Sequence, residues 1–259
     1  MKRFLSCLLA LAVLLTLTSC KRRDTVSFDQ QDTKMIAHRG LSGLEIENTA
    51  EAFEAAGKRS YFGIEADVRR TADGKFVICH DDNLDRLAGV DISVEETTLE
   101  ELQKIPLLDK KGKKCNARLS DLETYIRICK QYDKEAILEL KSSFTEEEIG
   151  RMVEIIRVLG HLERVTFISF GYGNLEKVRQ ILPNQSVMYL FSKLTPEITE
   201  QLIRDRIDAA IAYHALTRKA LHTFHEAGLT VNCWTVDGKA IAASLASMGV
   251  DYITTNILE

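Results

Sequence analysis

An excess of charge of one sign is the first thing this sequence lacks. Its 34 Lys and Arg stand against 38 Asp and Glu, a formal net charge of -4 over 259 residues. Sequence-independent nucleic-acid binding needs clustered Lys and Arg, so this near balance, without an acidic or basic tail, excludes a large surface of that kind. The densest basic stretch, Asp109-Lys110-Lys111-Gly112-Lys113-Lys114, reads as solvated loop. Cysteine is scarce, at 6 with no CxxC pair, which excludes a dense disulfide framework; a domain of this length is held by its own core. There is no GxSxG elbow, HExxH helix or Walker loop, so three common catalytic frameworks have no carrier. No internal repeat or second domain is visible.

One apolar run stands apart, Phe4 to Leu17 after Lys2 and Arg3. It is shorter than the ~20 residues of a spanning helix and has the charged and apolar regions of a secretory signal. It ends in Leu17-Thr18-Ser19-Cys20, which resembles the bacterial lipobox. The expectation is a lipoprotein-type signal peptide over residues 1–19 and a lipid on Cys20 that holds the exported domain at the membrane of the bacterial cell envelope. Residues 20–33 are polar and charged without apolar period and read as a tether, leaving 34–259 as one domain. Of the remaining cysteines, Cys79 and Cys233 lie in strand-like apolar runs and read as buried thiols, while a Cys115 to Cys129 pairing stays open.

From Lys34 onward, short apolar runs alternate with segments of helical period. The strands are read at KMIAH, FGIEADV, KFVICH, AILEL, RVTFISF, SVMYLF, DAAIAY, TVNCWTV and DYITTN, with amphipathic segments such as SDLETYIRICKQY and EEEIGRMVEIIRVLG between them. That alternation in roughly 230 ordered residues predicts an α/β fold, a TIM (β/α)8 barrel. FGIEADV and KFVICH are joined only by Ala72-Asp73-Gly74, which fits a hairpin and leaves no room for a crossover helix, so a short β-hairpin insertion follows the second strand. Asn48, three residues before Glu51, reads as a capping-box start, and Gly160, Gly228 and Gly249 as helix stops.

The period of two in GIEADVR puts Glu65 and Asp67 on one face and Ile64, Ala66 and Val68 on the other. In a barrel the apolar face packs on helices and the acids point inward. Close carboxylates persist there with a cation or with protonation, and a hard divalent ion, Mg2+ or Ca2+, suits an all-oxygen site. Glu139 and Lys141 share a face of AILELK and read either as a metal ligand beside a phosphate-binding ammonium or as an ion pair. His38, followed by Arg39, and His80 end strands, where barrel active sites gather. Two imidazoles, three acids and two cations suit phosphoryl chemistry.

In chain order, AHRG, ENTAEAF, GIEADVRRTADGKFVICHDDNLDRL, LELK, WTVD and GVDYITTN resemble the glycerophosphodiester phosphodiesterase family, over about Lys34 to Asn256. The resemblance implies a TIM barrel that hydrolyses a small-molecule glycerophosphodiester to glycerol 3-phosphate and an alcohol. It implies Glu65, Asp67 and Glu139 as metal ligands, Arg39 and Lys141 on the phosphate, His38 and His80 as the acid/base pair, and Glu47 orienting Arg39. Trp234, with Phe170 and Tyr172 as weaker candidates, would wall the substrate pocket. The sequence departs from the family at Ile46 and Arg118, where many members have Pro, and at Thr255-Asn256-Ile257, where many have Thr-Asp-x-Pro. A short segment between His80 and Leu119 implies an open pocket mouth. Two alternatives share these residues: a barrel acting on a lysolipid, sphingolipid or sugar phosphodiester, and a non-catalytic binding lipoprotein.

Overall fold

A computed structural model describes residues 24–259. The expected signal peptide and Cys20 lie outside the described residues. Nine strands form one sheet: β1 Lys34–Ala37, β2 Gly63–Arg70, β3 Phe76–Ile78, β4 Glu135–Leu140, β5 Val165–Ser169, β6 Ser186–Phe191, β7 Asp208–Ala212, β8 Val231–Trp234 and β9 Tyr252–Thr255. Eight are parallel and close into a ring, with β1 between β2 and β9. Among the described strands β3 pairs only with β2, antiparallel, with Val68 opposite Ile78 and Arg70 opposite Phe76. The second arm of the hairpin is therefore an appendage and not a barrel strand. Gly74, at φ 71°, takes the left-handed position of its turn.

The helices are α1 Ala50–Gly57, α2 Asp85–Ala88, α3 Leu99–Lys104, α4 Leu122–Gln131, α5 Glu146–Val158, α6 Tyr172–Ile181, α7 Pro196–Asp205, α8 Arg218–Glu226 and α9 Lys239–Met248. Side-chain oxygens start most of the longer ones: Thr145 and Glu148 form a full capping box on α5, and Thr195 caps α7 with Pro196 in its first turn. At α1 the cap is Thr49, which accepts from the Ala52 N–H, and not Asn48. Asn48 stands in the left-handed region at φ 59° and turns its amide towards the barrel. Its side chain serves the site described below.

The strand period sorts the core into two layers. Ile64, Ala66 and Val68 face outward into the helix layer with Phe53, Tyr125 and Ile126, each buried and contributing roughly 1.5–3 kcal/mol for the larger side chains. Ile36, Ile137, Ile168, Met188, Leu190 and Ala210 fill the barrel interior. Glu139 and then Lys141 follow Ile137 on the same inward face, so the apolar plug floors a polar chamber at the C-terminal ends of the strands. β3 and the residues between it and α4 form a small separate core around Val77, Leu84, Leu102 and Leu119.

The described part of the expected tether lies along the barrel. The Val26 N–H donates to Ile257 O at 3.0 Å, the Glu259 N–H to Val26 O at 2.9 Å, and the Thr33 hydroxyl to Val250 O at 2.8 Å. All four cysteines among the described residues are free, with Cys79, Cys129 and Cys233 buried and Cys115 part-exposed, so Cys115 and Cys129 do not pair. No described helix is long and apolar enough to cross a membrane.

Candidate active site

The chamber is a cavity of about 170 Å³ lined by His38, Arg39, Glu65, His80, Glu139 and Lys141 on its polar side. Ile168, Leu190, Phe170 and Trp234 line the other. Trp234 donates its indole N–H to Ala210 O at 2.9 Å and meets the Phe170 ring edge-on at 5.5 Å. Tyr172 is turned away, its hydroxyl donating to Asp205 at 2.6 Å.

His-Arg-Gly after β1 is built by backbone geometry. Arg39 and Gly40 both take positive φ, 53° and 74°, and a Cβ on Gly40 would come within 2.7 Å of the α1 backbone at Ala52. The turn aims the Arg39 N–H at Glu65 Oε2, 2.7 Å away. The Arg39 guanidinium is held by Glu47 at 2.9 Å and lies 3.4 Å from Asp67, with its Nε buried and without a hydrogen-bond partner. That Nε is the atom nearest Asp67 Oδ2, so the guanidinium is ion-paired with both Glu47 and Asp67.

Glu65, Asp67 and Glu139 are buried, with one carboxylate oxygen of each within 4.8 Å of the others. Burial, followed by the charges of Asp67 and Glu139, holds Glu65 well above the usual carboxylate range. Burial and Asp67 push Glu139 up to about 7, against the pull of Lys141 at 2.9 Å. Asp67 is lowered: burial works against ionisation, but Arg39, His80 and Lys141 outweigh it. Asn48 Nδ2 donates to Asp67 Oδ2 at 2.8 Å, while Oδ1 is buried with no hydrogen-bond partner. A hard divalent cation fits this donor set: it would satisfy the orphaned oxygen and remove the repulsion that opposes ionisation of the two glutamates.

Both imidazoles have Nδ1 occupied. His38 Nδ1 lies 2.7 Å from Asn256 Oδ1, and His80 Nδ1 lies 2.8 Å from Asp81 Oδ1. Arg86 binds Glu47 through both Nη atoms at 2.8 Å and Asp81 through Nε at 2.6 Å. Burial would raise Asp81, but Arg86 and His80 bring it down to about 2. One guanidinium thus ties the partner of Arg39 to the partner of His80. Burial and the Arg39 charge lower His38 from the ordinary imidazole value.

Residues 38–259 match the model of the glycerophosphoryl diester phosphodiesterase family. The chain belongs to that family. Among its relatives, Bacillus subtilis YhdW is 32% identical over 236 residues, covering 86% of this chain and 93% of the relative. The glycerophosphodiester phosphodiesterase of Caldanaerobacter subterraneus is 29% identical over 231 residues, covering 86% and 94%. In structure, an Oleispira antarctica phosphodiesterase solved with the product sn-glycerol-3-phosphate superposes with a TM-score of 0.81 at 28% identity, covering 89% of this chain and 95% of that one.

For this phosphodiesterase, the polar residues singled out from the sequence as metal, phosphate and acid/base candidates line the chamber except Asp67, which lies beneath it against Arg39 and Lys141, while Glu47 lies behind Arg39. Sequence reasoning did not assign the supports that hold them: Asn48, read as a cap, under Asp67, Asp81 and Arg86 behind His80, and Asp237 with Asn256 behind His38. A sequence signal existed for Asp81, directly after His80, and for Asp237, the last residue of WTVD. None existed for the pairing of Arg86 with Glu47, 39 positions apart.

Proposed function

We propose that this phosphodiesterase converts glycerophosphodiesters to glycerol 3-phosphate and an alcohol by acid/base chemistry between His38 and His80. The observation that carries the reading is the pair of imidazoles on one cavity, each with Nδ1 engaged and Nε2 left for substrate. His38, lowered by burial and Arg39, takes the proton of the glycerol hydroxyl next to the phosphodiester. That oxygen bonds to phosphorus as the bond to the leaving alcohol breaks, and His80, with the Asp81 carboxylate as partner for its imidazolium, protonates the departing oxygen. The proton movements then reverse: His80 takes a proton from water, whose oxygen adds to phosphorus, and His38 returns its proton to the ring oxygen that leaves. Glycerol 3-phosphate results.

Glu65, Asp67 and Glu139 would hold Mg2+ or Ca2+, which when bound supplies Lewis-acid stabilisation of charge on the phosphoryl oxygens. Arg39 and Lys141, which both line the cavity, bind the remaining phosphate charge. The Phe170 and Trp234 edge walls the carbon skeleton. The glycerol 3-phosphate held by the Oleispira relative supports the choice of product. The same reading has the domain exported and anchored by a lipid on Cys20; lipid still carried by Cys20→Ser refutes that part.

The test is an assay coupled to glycerol 3-phosphate over a panel of glycerophosphodiesters, with EDTA and then Mg2+ or Ca2+ restored. Product is expected only with metal, and absence of product with either ion rejects the reading. His38→Ala and His80→Ala are each expected to lose about 10²-fold or more in kcat. Near-full activity in either variant removes that residue from the mechanism.

A further inference from the structure

We propose that Asp237, acting through Asn256, is a positioning residue that selects the tautomer of His38. Asp237 follows β8 and Asn256 follows β9, and neither lines the cavity. A carboxylate only accepts hydrogen bonds, so the Asn256 atom that faces Asp237 Oδ2 at 2.6 Å must be the NH2 group. The other end of the amide, Oδ1, is then fixed against His38 Nδ1 at 2.7 Å. An amide oxygen accepts, so His38 carries its proton on Nδ1 and has its Nε2 lone pair free. The Ser42 hydroxyl lies 2.6 Å from Asn256 Oδ1 and 2.7 Å from His38 O and, having one proton to donate and lone pairs to accept, tolerates either orientation of the amide, so the orientation is set by Asp237. The choice of ring nitrogen is thus made two side chains away from the substrate.

The other end of Asp237 is pinned. Its Oδ1 accepts from the Asn256 N–H at 2.8 Å and from the Thr255 hydroxyl at 3.0 Å. Thr255 Oγ1 itself accepts from the Ile257 and Leu258 N–H groups at 3.2 and 3.1 Å, so its own proton goes to Asp237. In Asp237→Asn the new amide must keep its oxygen at this corner and place its NH2 where Oδ2 was. Asn256 then turns over, with its oxygen towards position 237 and its NH2 towards His38, and His38 must accept at Nδ1 and carry its proton on Nε2. A substitution that changes no volume reverses the polarity of the chain of hydrogen bonds. Adding Asn256→Asp restores an acceptor at His38, and with it the original tautomer.

The inference rests on the reading of His38 as the proton acceptor only for its effect on rate; the tautomer is measured without turnover. Long-range 1H–15N correlation of the 15N-labelled protein in EDTA, at a pH where the ring is neutral, distinguishes Nδ1–H from Nε2–H. Wild type is expected as Nδ1–H, Asp237→Asn as Nε2–H, and Asp237→Asn/Asn256→Asp as Nδ1–H again. In the metal-loaded enzyme the single variant is expected to lose about 10²-fold in kcat with little change in KM, and the double variant to recover most of it. An unchanged tautomer in Asp237→Asn, or a double variant that stays Nε2–H, overturns the proposal. A tautomer that moves as expected without loss of kcat upholds the relay and instead rejects His38 as the base.

Discussion

Replacing Glu139 with glutamine removes a carboxyl that folding holds at a pKa of about 7, against an ordinary value of 4.5. The folded chain binds this proton more tightly than the unfolded one. The stability associated with it is therefore complete below pH 4.5 and is lost as pH rises through about 7. A displacement of that size corresponds to about 3 kcal/mol, or roughly 6–12 °C in Tm for a chain of this length. Glu65, raised by burial and the same neighbours, works in the same direction. His38 and His161, both lowered first by burial, work in the opposite one, gaining stability as pH rises towards 6.5. The informative quantity is thus the difference between wild type and Glu139→Gln, followed by thermal unfolding in EDTA from pH 5 to 8. Wild type is expected to lose stability relative to the variant across this range, and saturating Mg2+ or Ca2+ to abolish its loss by keeping the carboxylates ionised in the folded state. Parallel Tm curves for the two proteins in EDTA would refute the argument, since they would mean that Glu139 does not resist ionisation.

Three further outcomes follow from the supports of the site. Asn48→Ala leaves Asp67 without its amide donor and is expected to weaken divalent-ion affinity about 10–100-fold, measured by calorimetry; unchanged affinity refutes the role. Arg86→Lys cannot span Glu47 and Asp81 as a forked guanidinium does, and kcat is expected to drop while the circular dichroism spectrum is kept; wild-type kcat contradicts the clamp. A chain starting at Asp24 is expected to show one thiol reactive towards a disulfide reagent when folded, Cys115, and four when unfolded. Burial excludes the other three and pushes Cys79 and Cys233 up to about 12; two or more fast thiols in the folded protein would contradict that burial.

Much of the barrel and of the chamber's lining was legible because both follow from local periodicity. Alternation in GIEADVR decided that Ile64, Ala66 and Val68 go to the helix layer and Glu65 and Asp67 inward, and a slip of one residue would reverse all five. The same alternation put Glu139 and Lys141 on one face, and the short Ala72-Asp73-Gly74 link announced a hairpin. Asn48 misled because its type and spacing suit a helix cap, and nothing local says that the neighbouring Thr49 takes that task and frees the amide for Asp67. Tyr172 misled in the same way, since a position after a strand does not determine a rotamer.

What the sequence by itself determined is which residues face the barrel interior and at which end, because side-chain direction along a strand repeats every two residues. What only the tertiary structure decided is how those residues are held: His38 on Asn256, 218 positions away, Asn256 on Asp237, and Glu47 and Asp81 on Arg86. Such pairings depend on the shear of a closed sheet and on loops that meet across its rim. A hydrogen bond forms or fails within a few tenths of an ångström, a distance that no periodicity in the chain encodes.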